Sequence, residues 1–494
     1  MKPTRPRHNK AKEHPPRRFK PASATPDTRV AEPRVAYTVG RDMRIRAKQT
    51  LFDFGPNGGV NGGAFRDPAF VDNKTLPIHR WVPWIAGFSA GFVDGVLETF
   101  LNSRQRQGRA LILDPFAGVG TTLVQSVLRG HDAIGFEINP YGALAAGIKT
   151  RAAYIDLGQF DTALQELCDA SASWRAEEPP PSVTPPPLKT RIPFFSEQVE
   201  RQVLHALAFI RGISNSEIAD LFRLAFGAVI VSVSNYTYEP SLGSRPAAGK
   251  PLVNEAHVAA VLANKLRQMR ADIAWLQEEA YRQHRFGTGT VVNEDFFSGS
   301  ERLESASVDL MLTSPPYLNN YHYVRNTRPQ LYWLDFITSP EQQKSLEINN
   351  FGKYWQTVRD SSPILLHFEH ENLERSLERL RATRSDKGAY GGPGWANYAT
   401  TYFNDCYRFL NVLRRVLHRR GVGVIVIGNS IIQGTEIKTE TILAEMATET
   451  GFKLEGIHLL RDKRVGASIT TSSVRRGETS KASLYESAVI VRKR

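Results

Sequence analysis

Residues 110–137 constrain the fold more than any other stretch. Ala110-Leu111-Ile112-Leu113-Asp114 is a short apolar run, the pattern of a strand buried on both faces. It leads directly into Pro115-Phe116-Ala117-Gly118-Val119-Gly120-Thr121-Thr122, and then into Leu123, Val124, Val127 and Leu128 at helical spacing. Gly130-His131 ends that helix, and Ala133-Ile134-Gly135-Phe136-Glu137 reads as a second strand that closes on an acid. Strand, Gly-x-Gly turn, helix and strand form the first half of a nucleotide-binding βαβ unit, which points to an α/β fold with a parallel sheet. The glycines let a ligand approach the backbone closely. A carboxylate about 20 positions after the first glycine is placed to take ribose hydroxyls, and Glu137 holds that place. The turn is not a full Gly-x-Gly-x-x-Gly and no lysine follows it, which disfavours pyrophosphate and triphosphate. A ligand with a ribose and no phosphate fits better.

A second apolar run, Val308-Asp309-Leu310-Met311-Leu312, ends abruptly in Thr313-Ser314-Pro315-Pro316-Tyr317. Two prolines cannot extend a central strand, so the run closes on a stiff turn. Open α/β sheets place their chemistry at such strand ends. This turn offers a hydroxyl, carbonyls without competing N–H groups at the prolines, and an aromatic face. The set suits a planar group bearing an exocyclic amine.

Asp114-Pro115-Phe116-Ala117-Gly118-Val119-Gly120-Thr121-Thr122, Gly135-Phe136-Glu137-Ile138-Asn139-Pro140 and Thr313-Ser314-Pro315-Pro316-Tyr317 together resemble the signature motifs of S-adenosylmethionine-dependent DNA amino-methyltransferases. The resemblance covers roughly residues 76–150 and 288–494. It implies a Rossmann-like, seven-stranded methyltransferase sheet, mostly parallel with an antiparallel C-terminal hairpin, carrying a mainly helical insertion. It implies S-adenosylmethionine as cofactor, held by Asp114, Pro115, Phe116, Ala117, Gly118, Gly120, Thr121, Thr122, Glu137 and Thr313. An acid after the third strand (Gly289 to Asp295) holds the cofactor's adenine amine in such enzymes, and Asp295 is the better match beside Glu294. Ser314, Pro315, Pro316 and Tyr317 become the catalytic turn. Ser314 Oγ and the Pro315 carbonyl would accept hydrogen bonds from the target amine, and Tyr317 would stack on the base. The base must leave the duplex to reach such a site. The serine form of the turn leans toward cytosine N4, with adenine N6 as the alternative. An RNA guanine-N2 enzyme and a non-catalytic DNA-binding module are further readings. A covalent C5-cytosine mechanism needs an activated cysteine, and neither Cys168 nor Cys406 follows a proline or sits at the turn.

The remaining chain fits around these motifs. Its 494 residues carry 63 Lys and Arg against 50 Asp and Glu, a net charge of +13 that suits a polyanionic partner. Double-stranded DNA is the expected partner, and a cognate restriction or defence nuclease is left open as a second. The two cysteines form no disulfide framework or metal spacing, and no metal site is expected. There is no apolar run long enough to span a membrane, so the expected location is cytoplasmic, at the nucleoid. Residues 1–40 read as a disordered basic arm, 41–155 as the first half of the methyltransferase domain and 156–287 as a Pro-rich spacer with a helical insertion. Residues 288–494 read as the second half, with a polar helical and loop insertion at about 340–400. The aromatic-basic cluster at 78–84 is a candidate pocket wall. Two stretches are candidates for DNA contact: the Tyr-rich segment 235–246 and the glycine-rich loop 388–395. The helix after that loop is expected to begin at Tyr402.

Overall fold

The computed structural model describes residues 65, 70–84, 87–101, 108–174, 178–180, 182–238, 241–283, 286–318, 322–463 and 484–494. The basic arm, and most of the Gly- and Asn-rich stretch after it, lie outside the described residues.

Seven strands form one sheet: β1 (Leu111–Asp114), β2 (Asp132–Phe136), β3 (Gly289–Val292), β4 (Val308–Thr313), β5 (Leu417–Gly428), β6 (Phe452–Lys463) and β7 (Leu484–Lys493). Their spatial order is β6-β7-β5-β4-β1-β2-β3. The first five in sequence pair parallel, and β7 lies antiparallel to both β5 and β6. This is the mostly parallel sheet with an antiparallel C-terminal hairpin that the motifs imply. Chain order reverses between β1 and β4, and ligands bind at that crevice in open α/β sheets.

Alternation along the strands decides which layer covers which face. Ile112, Leu310, Leu312, Val424 and Val426 pack with Phe92, Val93, Val96 and Leu97 of helix α1 (Ala90–Leu101) and Leu123 of α2 (Thr121–Leu128). Their neighbours Leu113, Met311, Ile425 and Ile427 pack on the opposite side. There they meet Phe403, Phe409 and Leu413 of a long helix (Gly392–Val416) and Leu443 and Ala447 of the helix at Thr439–Glu449. Strands buried on both faces need near-continuous apolar sequence, which is why β1, β4 and β5 stand out in the chain.

After β2, Asn139 caps helix α3 (Pro140–Arg151), its side chain accepting from Tyr141 N and Gly142 N. Four further helices fill the stretch before β3: α4 (Leu157–Ala170), α5 (Glu197–Gly212), α6 (Ser216–Val229) and α7 (Val258–Gln283). Asp156, Ser196 and Asn215 cap α4, α5 and α6, so each start is written in the sequence. Their core is continuous with Tyr141, Ala145 and Ile148 of α3.

Three expectations change. The Pro-rich stretch is not a free spacer, because Val183 is buried in the helical core and Phe194 and Phe195 follow it inside. The 235–246 segment carries a short hairpin, Tyr236–Tyr238 paired with Leu242–Ser244, and its two tyrosines and Arg245 have partners within the protein. Tyr236 Oη accepts from Arg191 N at 3.1 Å, Tyr238 Oη donates to Asn326 O at 2.9 Å, and Arg245 Nε donates to Pro251 O at 2.9 Å. The glycines at 391–394 are not a loose loop, since the long helix already begins at Gly392 with Pro393 in its first turn. A Cβ on Gly392 would stand 1.8 Å from Leu380 O, so a close backbone approach accounts for glycine there.

Candidate active site

The ends of β1 and β4 meet at the crevice. Thr313 Oγ1, fully buried, donates to Asp114 Oδ1 at 2.6 Å. The same carboxylate oxygen accepts from Phe116 N at 3.1 Å, which shapes the turn after β1. Burial raises the Asp114 carboxyl to about 6, against the pull of these donors. Gly118 and Gly120 both take positive φ, 53° and 84°. A Cβ on Gly118 would lie 3.0 Å from Trp84 Nε1, and one on Gly120 would lie 2.8 Å from Ala146 Cβ, so conformation and space both demand glycine.

Glu137 stands just past β2 and bridges two segments. Its Oε2 accepts from Gly118 N and its Oε1 from Asn139 N, each at 2.8 Å. Burial is the largest influence on this carboxyl and raises it to about 7, with Asp114 adding to the rise. The acid therefore holds the Gly-x-Gly turn to the start of α3 while facing the cleft.

That cleft, about 760 Å³, is lined by both predicted motifs. Pro115, Phe116, Gly118, Glu137 and Asp295 come from the predicted cofactor set, and Ser314 and Pro316 from the predicted catalytic turn. Asp295 caps the short helix after β3, accepting from Ser298 N at 3.1 Å, whereas Glu294 also pairs with Arg302. A smaller cavity alongside brings Asp114, Ala117 and Thr121 together with Trp84, Phe88 and Ser314. Gly120, Thr122, Thr313, Pro315 and Tyr317 line neither cavity. Thr122 and Thr313 are fully buried supports.

Tyr317, expected to stack on the base, is held from two sides in this structure. Its ring lies over Gly428 at the end of β5, where an added Cβ would meet it at 3.1 Å. Its hydroxyl is 3.3 Å from Ser314 Oγ and donates to Glu486 Oε1 at 3.1 Å. The turn is pinned from below as well, because Ser430 Oγ donates to Leu318 O at 2.5 Å.

Several residues of the site carry no motif. Trp84 lines both cavities and is the part of the 78–84 cluster that reaches them. Its neighbours are structural: Ile78 N, Arg80 Nε and Trp81 Nε1 all donate to the Asp272 carboxylate of α7. Phe351 and Asn350 enter from the polar region after the catalytic turn, with Phe351 edge-on to Phe116 at 4.9 Å. Glu486 comes from the last strand, where one signal was readable: an acid just ahead of the apolar run Ala488-Val489-Ile490-Val491.

No protein-family profile matches the chain. The type II methyltransferase M.BsoBI of Geobacillus stearothermophilus is 22% identical over 450 residues, covering 81% of this chain and 83% of its own. M.AvaI of Nostoc sp. is 22% identical over 425 residues, covering 79% and 82%. M.MvaI of Kocuria varians is 22% identical over 382 residues, covering 71% and 75%. The solved rRNA methyltransferase aviRa from Streptomyces viridochromogenes aligns with 86% of this chain at 9% identity and a TM-score of 0.27, too slight a likeness to bear on the fold. With matches running through most of both chains, and with the motif-bearing strand ends gathered at one cleft, this protein is a homologue of the type II methyltransferases.

Proposed function

We propose that the protein is a site-specific DNA methyltransferase that moves the methyl group of S-adenosylmethionine to the exocyclic N4 amine of a flipped-out cytosine. The observation that carries this reading is the shared cleft. Ser314 and Pro316 of the rigid turn face the same space as Gly118, Glu137 and Asp295.

The residues fit the donor. Glu137 is a half-buried carboxylate with its backbone donors already in place, suited to ribose hydroxyls. Asp295 supplies an acceptor for the adenine amine, and Phe116 and Trp84 supply apolar walls. When bound, the donor offers an electrophilic methyl group on a sulfonium. The chain's own contribution is placement and electrostatics. The exocyclic amine is a weak nucleophile because its lone pair is delocalised into the ring. Ser314 Oγ, as an acceptor for an amine N–H, favours the pyramidal nitrogen that attacks, and Pro315 O is a second acceptor on the same turn. The cleft is concave, so the target base has to leave the duplex. Cys406 is buried and burial pushes its thiol well up, which is opposite to what a covalent C5 mechanism requires.

Residues 41–155 and 288–494 together form the methyl-transferring domain in this reading, and 156–287 its helical insertion. Double-stranded DNA is the substrate, in keeping with the net charge of +13. A cognate restriction or defence nuclease is left open as a second partner. Modification-sensitive long-read sequencing of DNA from cells expressing the protein tests the proposal. A mark in one sequence context, absent with Ser314→Ala, is the expected result. A mark that persists in Ser314→Ala would remove the catalytic assignment.

A further inference from the structure

A hydroxyl both donates and accepts. A carboxylate at the first position of such a turn presents lone pairs however it is rotated. A serine presents them only when its proton is directed elsewhere. In this structure a chain of partners directs it. Tyr317 Oη lies 3.3 Å from Ser314 Oγ and 3.1 Å from Glu486 Oε1. Glu486 is 6% exposed, and its other oxygen takes Arg461 Nε at 2.5 Å. Arg461 stands directly opposite Glu486 on β6. A guanidinium stays charged, which favours the ionised carboxylate.

The polarity of the chain follows. An ionised carboxylate only accepts, so Tyr317 directs its single proton to Glu486. Tyr317 Oη then has only lone pairs for Ser314, so Ser314 donates to it. The lone pairs of Ser314 are left for the cleft that it lines. Burial and the nearby Glu486 charge raise the Tyr317 phenol well above its ordinary range, which keeps the proton on Oη. Gly428 pairs with Glu486 across β5 and β7, and its bare Cα leaves room for the tyrosine ring that completes the link.

We propose that Glu486 is a positioning residue for methyl transfer: acting through Tyr317, it fixes the Ser314 hydroxyl as an acceptor for an N–H of the substrate amine. This rests on the functional reading above. It explains how a serine performs the task of an acid or amide at this position. Glu486→Gln has nearly the same shape but reverses the chain. Its amide N–H can donate to Tyr317 Oη, which frees the phenol proton for Ser314 and turns the serine into a donor.

The test uses the full chain, S-adenosylmethionine with a tritiated methyl group, and whole-genome-amplified DNA, which carries no modified bases. Glu486→Gln should lower kcat roughly tenfold, the cost of about one net hydrogen bond. The KM for DNA and the calorimetric Kd for the methyl donor should stay within about twofold, a split that a merely structural lesion would not give. Tyr317→Phe, which lacks Oη, should lose kcat to a similar degree. In a Tyr317→Phe background, where the link to Ser314 is already broken, Glu486→Gln should cost less than about twofold more, since coupled residues are not additive. Three outcomes would overturn the inference and leave the functional reading intact: an unchanged kcat in Glu486→Gln, an equal cost in both backgrounds, or matching losses in kcat and donor binding. Should Glu486→Gln fail to fold by thermal melting, an unchanged kcat in Tyr317→Phe would overturn it instead. No methyl transfer by the parent protein would overturn both.

Discussion

Thr313 donates to Asp114 at 2.6 Å across 199 positions of sequence, and both side chains are buried. One hydrogen bond thus ties the end of β4 to the end of β1, and with it the amine-facing turn to the donor-facing turn. Thr313→Val keeps the shape and removes the donor. A buried carboxylate deprived of one partner costs about 1–3 kcal/mol. Denaturant unfolding should show a lowered midpoint of that order, and the rate of methyl transfer should fall with it because the two turns lose their common anchor.

Glu137 gives a pH dependence with a defined sign. Its carboxyl is raised to about 7 by burial. The ionised form accepts two ribose hydroxyls better than the protonated form, so donor affinity should rise as pH increases through about 7 and level off above it. The folded state binds this proton more tightly than the unfolded chain. Its contribution to stability therefore declines between the ordinary carboxylate range and about pH 7, and is flat beyond. Calorimetric titration of the donor from about pH 6 to about pH 8 measures the first effect. Glu137→Gln should flatten the curve; an unaltered slope in that variant would place the titrating group elsewhere.

Two glycines should respond to alanine with opposite sign. Gly120 has φ 84° and no room for a Cβ beside Ala146, so Gly120→Ala should destabilise by about 1–3 kcal/mol. Gly147 lies inside α3 with nothing within 4 Å of an added Cβ. Gly147→Ala should stabilise by about 0.5–1 kcal/mol through the lower entropy of the unfolded chain. Paired thermal melts read both.

Trp84 lines both cavities, as do Phe116, Gly118 and Ser314, and lies against Gly118. Trp84→Ala should weaken donor binding by roughly tenfold or more, as the loss of a large aromatic contact implies. If Trp84 contacts the donor, part of the intrinsic fluorescence change on donor addition should vanish in the variant, which separates a direct contact from a general loosening.

Much of the fold and half of the site were legible for local reasons. Leu111 to Asp114 and Val308 to Thr313 run between two packed layers, so their sequences are mostly apolar, with Asp309 the one charged residue inside the second. Asn139, Asp156, Ser196 and Asn215 announce helix starts because an orphan backbone N–H needs an acceptor close in sequence. The illegible parts depend on distant partners. Nothing near Tyr317 tells that its hydroxyl meets Glu486, 169 positions away. Phe351 and Asn350 reach the cleft from a polar stretch with no motif. The helix beginning at Gly392 was hidden because glycines chosen for close approach to backbone carbonyls (Gly391 to Arg384 O, Gly392 to Leu380 O, Gly394 to Ala389 O) look like a loop.

The central claim is that the Ser314–Tyr317 turn holds the N4 amine of cytosine as it takes a methyl group from S-adenosylmethionine. The most direct measurement is mass spectrometry of nucleosides from whole-genome-amplified DNA incubated with the protein and S-adenosylmethionine. N4-methylcytosine, absent when Ser314→Ala replaces the parent protein, is the result the account predicts. Recovery of N6-methyladenine alone would contradict the assignment of the base, and recovery of no methylated nucleoside would contradict the account as a whole.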